Sequence, residues 1–287
     1  MANFISHIIM SEKLYKKLNN KDKIDLESLK LFSIGQDLTF TRLSCFNATH
    51  KEDPTTFFIE TINYIKNNNL ENNELVMSYL YGHIAHYSLD KEIHPIVGAL
   101  SNNTLSKSII KPHTYIECLF DKYLLKSNKI DDYSFINCKS VNNKVLSKLI
   151  NNTYRTSYGM LDIRRIYEST ILIIKRANKV LNRLYNNDNL FKKITRIDKY
   201  NKNSTFYKFV NSKKITKKIL FRNILHSSIN EALKMIDAVN KYLYQGYDIK
   251  VLYEVFTGVC YDTGAIKKIN YDYNKLPIKY KLLLQTK

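Results

Sequence analysis

Residues 79–94 read Tyr-Leu-Tyr-Gly-His-Ile-Ala-His-Tyr-Ser-Leu-Asp-Lys-Glu-Ile-His, a run that sets His86, Asp90 and His94 four residues apart. On an α-helix, side chains at i and i+4 share a face and lie about 5–6 Å apart, so an imidazole and a carboxylate can close on one cation. The spacing commits the segment to helix and carries the chemistry of a metal site.

Histidine usage elsewhere sharpens this. Six of the seven histidines (His7, His50, His83, His86, His94, His113) fall within the first 113 residues, and only His226 lies beyond. A second i, i+4 pair, His113 and Glu117, follows Pro112. Upstream, Gly35-Gln36-Asp37 occupies a short loop-like stretch after an apolar run. His50 precedes Asp53-Pro54, a helix-start signal with proline at the first helical position. Imidazoles and carboxylates therefore come from at least four segments. A lone helical histidine is ordinarily a packed core or surface residue; two His-x3-carboxylate pairs with flanking His and Asp in a histidine-poor chain point to a ligand set. His83, three residues before His86, reads as a residue behind the ligands and not as one of them.

The ordered set His7, Asp37, His50, His86-x3-Asp90, His94, His113-x3-Glu117 resembles the bacterial zinc-dependent phospholipase C family, which is related to the P1/S1-type nucleases. The phrases Tyr-Gly-His-Ile-Ala-His-Tyr-Ser-Leu-Asp-Lys-Glu-Ile-His-Pro and His-Thr-Tyr-Ile-Glu-Cys-Leu-Phe-Asp-Lys-Tyr-Leu-Leu are similar to the two core helical motifs of its cytoplasmic branch, and the likeness covers roughly residues 4–125.

The resemblance implies two or three zinc ions. Asp37, His50, His86 and Asp90 would hold one, and His94, His113 and Glu117 a second. Asp90 would bridge to a third that also takes His7 and the amino terminus. Two features depart from the secreted members. Those expose a tryptophan as mature first residue, whereas this chain begins Met1-Ala2-Asn3; and their gap between the residues matching Asp90 and His94 is longer.

Hydrolysis is what such donors suit. Zinc with an open coordination position lowers the pKa of bound water toward ~7, and two ions about 3.5–4 Å apart can hold both the attacking hydroxide and phosphoryl oxygens. All-cysteine sets more often close structural sites. Cys45, Cys118, Cys138 and Cys260 have no C-x2-C spacing and read as reduced thiols.

With 287 residues, 44% apolar content, seven glycines and four prolines, the chain can bury a large core and is poor in helix breakers. Apolar residues recurring at three and four predict amphipathic helices near 4–19, 54–68, 72–91, 111–126, 141–154, 160–186, 223–244 and 247–257, with a Ser- and Asn-rich loop over 98–110. The expected class is all-α, a multi-helix bundle with its metal cluster between helices of the N-terminal half. Residues 1–125 read as the metal-binding core, and 126–287 as a basic, mostly helical part packed on it or continuing it. No run reaches the ~18 apolar residues of a membrane span, and Met1 to Lys13 lacks a signal-peptide pattern, so the expected location is cytoplasmic.

Charge divides the chain. Residues 1–125 carry 13 Lys+Arg against 14 Asp+Glu, while the remaining 162 carry 32 against 12, a net of +20. A basic surface attracts phosphate, in nucleic acid or in anionic lipid. Lys192-Lys193, Lys213-Lys214, Lys217-Lys218 and Lys267-Lys268 are interleaved with Tyr200, Phe206, Tyr207 and Phe209, which could stack on bases or insert at an interface. A lysine-rich composition, as in an AT-rich genome, raises lysine without function, although an even bias should have made the first half basic too, so a functional basic surface and a compositional one both stay open. Tyr154-Arg155-Thr156-Ser157-Tyr158-Gly159 offers a phosphate-binding fork but reads better as a helix junction.

The reading that follows is a zinc-dependent phosphodiester hydrolase acting on a phospholipid or other small diester, with Asp37 as a ligand able to take the proton of the attacking water. A P1/S1-like nuclease is the alternative within that chemistry. A non-catalytic basic binding protein with structural zinc is the alternative outside it.

Overall fold

A computed structural model describes residues 4–39, 54–101, 112–128, 139–155, 157, 159–187, 193 and 200–257. In chain order its helices are α1 (Phe4–Tyr15), α2 (Leu26–Phe32), α3 (Pro54–Asn67), α4 (Glu74–Ser101), α5 (Pro112–Asn128), α6 (Lys144–Tyr154), α7 (Met160–Asn186), α8 (Thr205–Val210), α9 (Lys214–Tyr244) and α10 (Lys250–Tyr253). Short 3-10 turns span Lys21–Lys23, Gly35–Thr39 and Lys139–Val141. No strand occurs among the described residues, so the chain is all-α. None of the described helices is long and apolar enough to cross a membrane.

The bundle is organised on α4. Every residue from Val76 to Asp90 is buried, so this helix is covered on all sides rather than along one stripe. It packs most extensively on α2 and α9, then on α1 and α5, and also meets α3, α6, α8 and the Gly35–Thr39 turn. Tyr81 donates to Asn240 at 2.8 Å and Lys91 pairs with Glu231 at 2.5 Å, contacts that run in opposite chain directions and make α9 antiparallel to α4. On the other side the Asp25 amide donates to Ser78 Oγ at 2.8 Å, while the Asp25 carboxylate caps α2 by accepting from the Ser28 amide. One residue thus starts α2 and docks it.

Helix α4 is longer than the apolar period predicts. The sequence reading ends it at 91 and opens a loop at 98, yet helix continues to Ser101 with Pro95 inside it. An internal proline costs about 3 kcal/mol. Ile93, Ile96, Val97, Ala99 and Leu100 are all buried in that stretch, and at roughly 1.5–3 kcal/mol for each large apolar side chain their burial outweighs the proline. Residues 102–111 lie outside the described set. Helix α9 likewise starts at Lys214 rather than 223, because Thr216, Leu220 and Phe221 are buried ahead of the expected start.

Tyr200, Phe206 and Phe209, read above as candidates for base stacking or membrane insertion, belong to the core. All three are buried, Phe206 against Tyr115 and Tyr200, and Phe209 against Phe221. Lys217 in the same region donates to the Val210 carbonyl. The motif around Arg155 is a junction, as expected: Arg155 ends α6 in the left-handed conformation, φ 50°, and its Nη2 donates to both carboxylate oxygens of Glu60 at 3.0 and 3.1 Å. Its guanidinium fork therefore engages the protein's own carboxylate.

Where α2 meets α4 the backbones nearly touch. A Cβ on Gly82 would lie 2.6 Å from Phe32 Cβ and 2.7 Å from its carbonyl carbon, closer than such atoms approach. Alanine improves helix propensity by about 1 kcal/mol. Overpacking against immobile backbone costs typically 1–3 kcal/mol, so Gly82→Ala is expected to lower the urea midpoint, with α2 displaced from α4.

Candidate metal centre

The all-round burial of α4 forces its polar residues into the interior, where they need partners from other helices. His86 and Asp90 lie one turn apart with His86 Nε2 3.2 Å from Asp90 Oδ2. Helix α1 brings His7, whose Nε2 is 3.4 Å from Asp90 Oδ1 and whose ring stacks on that of His86 at 4.3 Å between centroids. His94, one turn further along α4, sits 3.9 Å from the same Oδ1. Three imidazoles thus face one buried carboxylate.

A second group adjoins the first. Glu117 of α5 places Oε1 3.0 Å from His113 Nε2 and 3.5 Å from His94 Nε2. The structure therefore assembles two triads, His7 with His86 and Asp90, and His94 with His113 and Glu117. Within each triad one donor atom per residue lies within 4.8 Å of the other two. Asp90 and His94, on one helix, join them.

Charge and burial tune these groups in opposite directions. Burial disfavours the Asp90 and Glu117 carboxylates, but the charges and hydrogen bonds of the surrounding histidines outweigh it and hold both well below the usual carboxylate range. Burial, reinforced by the neighbouring His86, lowers His7, which stays neutral and keeps a lone pair. His86 is raised: burial opposes its charge, and the charge and hydrogen bond of Asp90 prevail. His86 Nδ1 lies 3.2 Å from the Ser33 carbonyl, an acceptor that fixes Nδ1 as the protonated nitrogen and leaves Nε2 for the site.

The donor set fits zinc. Tetrahedral coordination with bonds near 2.0–2.1 Å spaces ligand atoms about 3.3 Å apart, and the histidine–carboxylate separations of 3.0–3.5 Å within the two triads bracket that value. His7 Nδ1 is buried with no hydrogen-bond partner among the described residues.

Asp37 stands on the Gly35–Thr39 turn, half-buried, and its charge acts on both His7 and His86. The turn is pressed onto the site. Gly35 has φ +64°, and a Cβ there would lie 2.3 Å from His86 Cγ, so glycine is required both by conformation and by space. His50 lies outside the described residues. His83 joins neither triad: its ring is packed among Phe57, Tyr79 and Tyr154, neither nitrogen has a hydrogen-bond partner among the described residues, and burial holds it well below its ordinary pKa.

One residue escaped the sequence reading. Asp121 continues the His113, Glu117 spacing by another four residues on α5 and is fully buried. Its Oδ1 accepts from the Ser6 amide at 3.1 Å and from Ser6 Oγ at 2.7 Å. Burial and the nearby Glu117 push it well above the carboxylate range despite those bonds, and it clamps the first turn of α1, next to His7. The i+8 continuation was the available signal.

Compared with known proteins, the chain matches a family profile described as zinc dependent phospholipase C over residues 6–160. That span exceeds half of the sequence and contains all eight positions His7, Asp37, His50, His86, Asp90, His94, His113 and Glu117. The chain belongs to the zinc-dependent phospholipase C family. No curated protein and no solved structure matches it.

Two outcomes are expected. In chelator-treated protein the depressed Asp90 and Glu117 contribute stability that is present above their unfolded values, about 4, and lost as the pH falls toward their folded ones. Thermal melts should accordingly drop steeply on acidification below about pH 4, and less so for Asp90→Asn. Asp121→Asn keeps an acceptor for both Ser6 donors and should retain wild-type metal content. Asp121→Leu leaves buried donors unsatisfied, at about 1–3 kcal/mol each, and should lower Tm.

Proposed function

We propose that this chain is a phospholipase C-like phosphodiester hydrolase that works with two or three zinc ions. The observation that carries the reading is the pair of triads, each of two histidines and one carboxylate, joined through Asp90 and His94 within a chain of this family. By the family resemblance Asp37, His50, His86 and Asp90 would hold one ion, His94, His113 and Glu117 a second, and His7 with Asp90 a third; the geometry groups His7 with His86 and Asp90, so the first and third of these would share one cluster around Asp90. The chemistry zinc supplies in such sites is activation of water near neutral pH and stabilisation of charge on phosphoryl oxygens.

The chain's own residues orient and buffer that chemistry. Asp90, ionised and buried, holds His7, His86 and His94 around one point. Ser33 orients His86 through its carbonyl. Asp37, the more exposed carboxylate on a turn, takes the proton of the attacking water. Packing of α9 along α4 supports reading residues 126–287 as a completion of the metal core. A phospholipid or other small phosphodiester is the substrate class that the family implies.

The nuclease reading has one observation of its own, the +20 charge of residues 126–287. Both readings require metal, which the binding-protein reading requires only structurally. Mass-spectrometric metal analysis of the purified protein, with turnover of a chromogenic phosphodiester, a phosphatidylcholine dispersion and single-stranded DNA, separates all three. Zinc at two or more per chain with lipid or chromogenic turnover is expected. Asp37→Asn should retain most metal and lose at least about 100-fold in rate, the usual scale for general base loss; His86→Ala should lose metal and Tm together, since binding free energy is also folding free energy. Bound zinc with no turnover of any substrate would leave the binding-protein reading.

A further inference from the structure

We propose that the outer face of α7 docks on an anionic phospholipid surface and thereby fixes the Asp37 turn one helix away from the bilayer; the proposal rests on the lipid-directed reading above. Helix α7 has two unlike faces. Ile163, Tyr167, Thr170 and Ile174 face the core and are buried. On the opposite side Leu161 and Leu172 are 56% and 49% exposed, with Ile173 at the edge of the arc at 43%. Leu161 and Leu172 are eleven residues apart, three helical turns, so they share a side. Arg165, Arg176 and Lys179 are exposed on that same arc, and Lys175 borders it.

The arc's charge selects its partner. Residues 160–186 hold six Lys+Arg against Asp162 and Glu168, a net of +4. Glu168 is engaged by Arg164 at 2.7 Å, and Asp162 lies 3.8 Å from Arg165. Lys175, Arg176 and Lys179 have no ion pair among the described residues. Aliphatic side chains flanked by lysine and arginine on a helix suit the headgroup–acyl boundary of an anionic bilayer. Nucleic acid is a poorer match, because sequence-tolerant binding uses aromatic rings on which bases stack, and the exposed residues from 160 to 179 include none. A second copy of the chain is disfavoured by repulsion between like basic faces.

The arc is also coupled to the site. Thr170 on the inner side donates to the Leu38 carbonyl at 2.8 Å, on the turn that carries Asp37, and Tyr167 packs against Phe32 of α2. Docking through α7 would place the same helix against lipid on one side and the Asp37 turn on the other.

The test is co-sedimentation of the full chain with vesicles of phosphatidylcholine alone and of phosphatidylcholine with phosphatidylserine, at low and physiological salt. Wild type is expected to bind the anionic vesicles, more weakly at the higher salt. Leu172→Gln with Ile173→Gln, and separately Arg176→Gln with Lys179→Gln, should each weaken that binding by about tenfold, with Tm and turnover of the soluble chromogenic diester unchanged. No wild-type binding to anionic vesicles, or binding unaffected by either pair, overturns the proposal. So does single-stranded DNA binding lost through the same pairs, or resistance of Leu172→Cys to thiol labelling without vesicles, which would mean that the chain itself covers the arc. Loss of chromogenic turnover in wild type, with vesicle binding intact, would instead count against the catalytic reading alone.

Discussion

A buried, ionised carboxylate at the centre of the molecule organises everything around it. Asp90 sits on a helix that is enclosed on every side, where an isolated negative charge is prohibitive and must be paired. Its partners are three imidazoles, two of them from its own helix at one turn before and one turn after, and one from α1. The position of α1 follows from that need, and Asp121 fixes it independently by clamping Ser6. Glu117 then repeats the arrangement across His94, so the two triads share a helix instead of being two separate sites.

The close packing of α2 on α4 is the second constraint. Gly82 allows the backbones to meet, which brings the Ser33 carbonyl to His86 Nδ1, and Gly35 then turns the chain so that the segment bearing Asp37 lies over the His86 ring. Two glycines lacking any chemistry of their own thus decide how an imidazole is oriented. Thr170 of α7 braces the same turn from outside. The site is held by contacts between helices that are far apart in sequence, consistent with ligand geometry being set by rigid elements and not by loops.

Charge tells a different story in the two parts of the chain. In the metal core the carboxylates and imidazoles neutralise one another in the interior, where each interaction is strong because water is excluded. Among the described residues of 126–287 most lysines and arginines face solvent, and the structure withdraws Phe206, Phe209 and Tyr200 from that surface into the core. What remains outside on α7 among the described residues is aliphatic side chains with lysine and arginine in excess over Asp162 and Glu168, a composition that discriminates between phosphate-bearing partners by what its apolar atoms can contact.

The helical class, the pairing of His86 with Asp90 and of His113 with Glu117, and the likeness to zinc-dependent phospholipases C were legible in the sequence, because i, i+4 spacing on a helix is a local property. The amphipathic period located most helices for the same reason. It failed at Pro95 and at the start of α9, where burial by other helices overrides local preference. Tertiary structure alone decided that His7 stacks on His86, that His94 faces both Asp90 and Glu117, and that His83, on the same helix as the ligands, is turned into an aromatic pocket instead. Asp121 shows the division within one residue: its spacing from Glu117 is written in the sequence, but its partner, Ser6, lies 115 residues away and is brought to it only by packing α1 on α5.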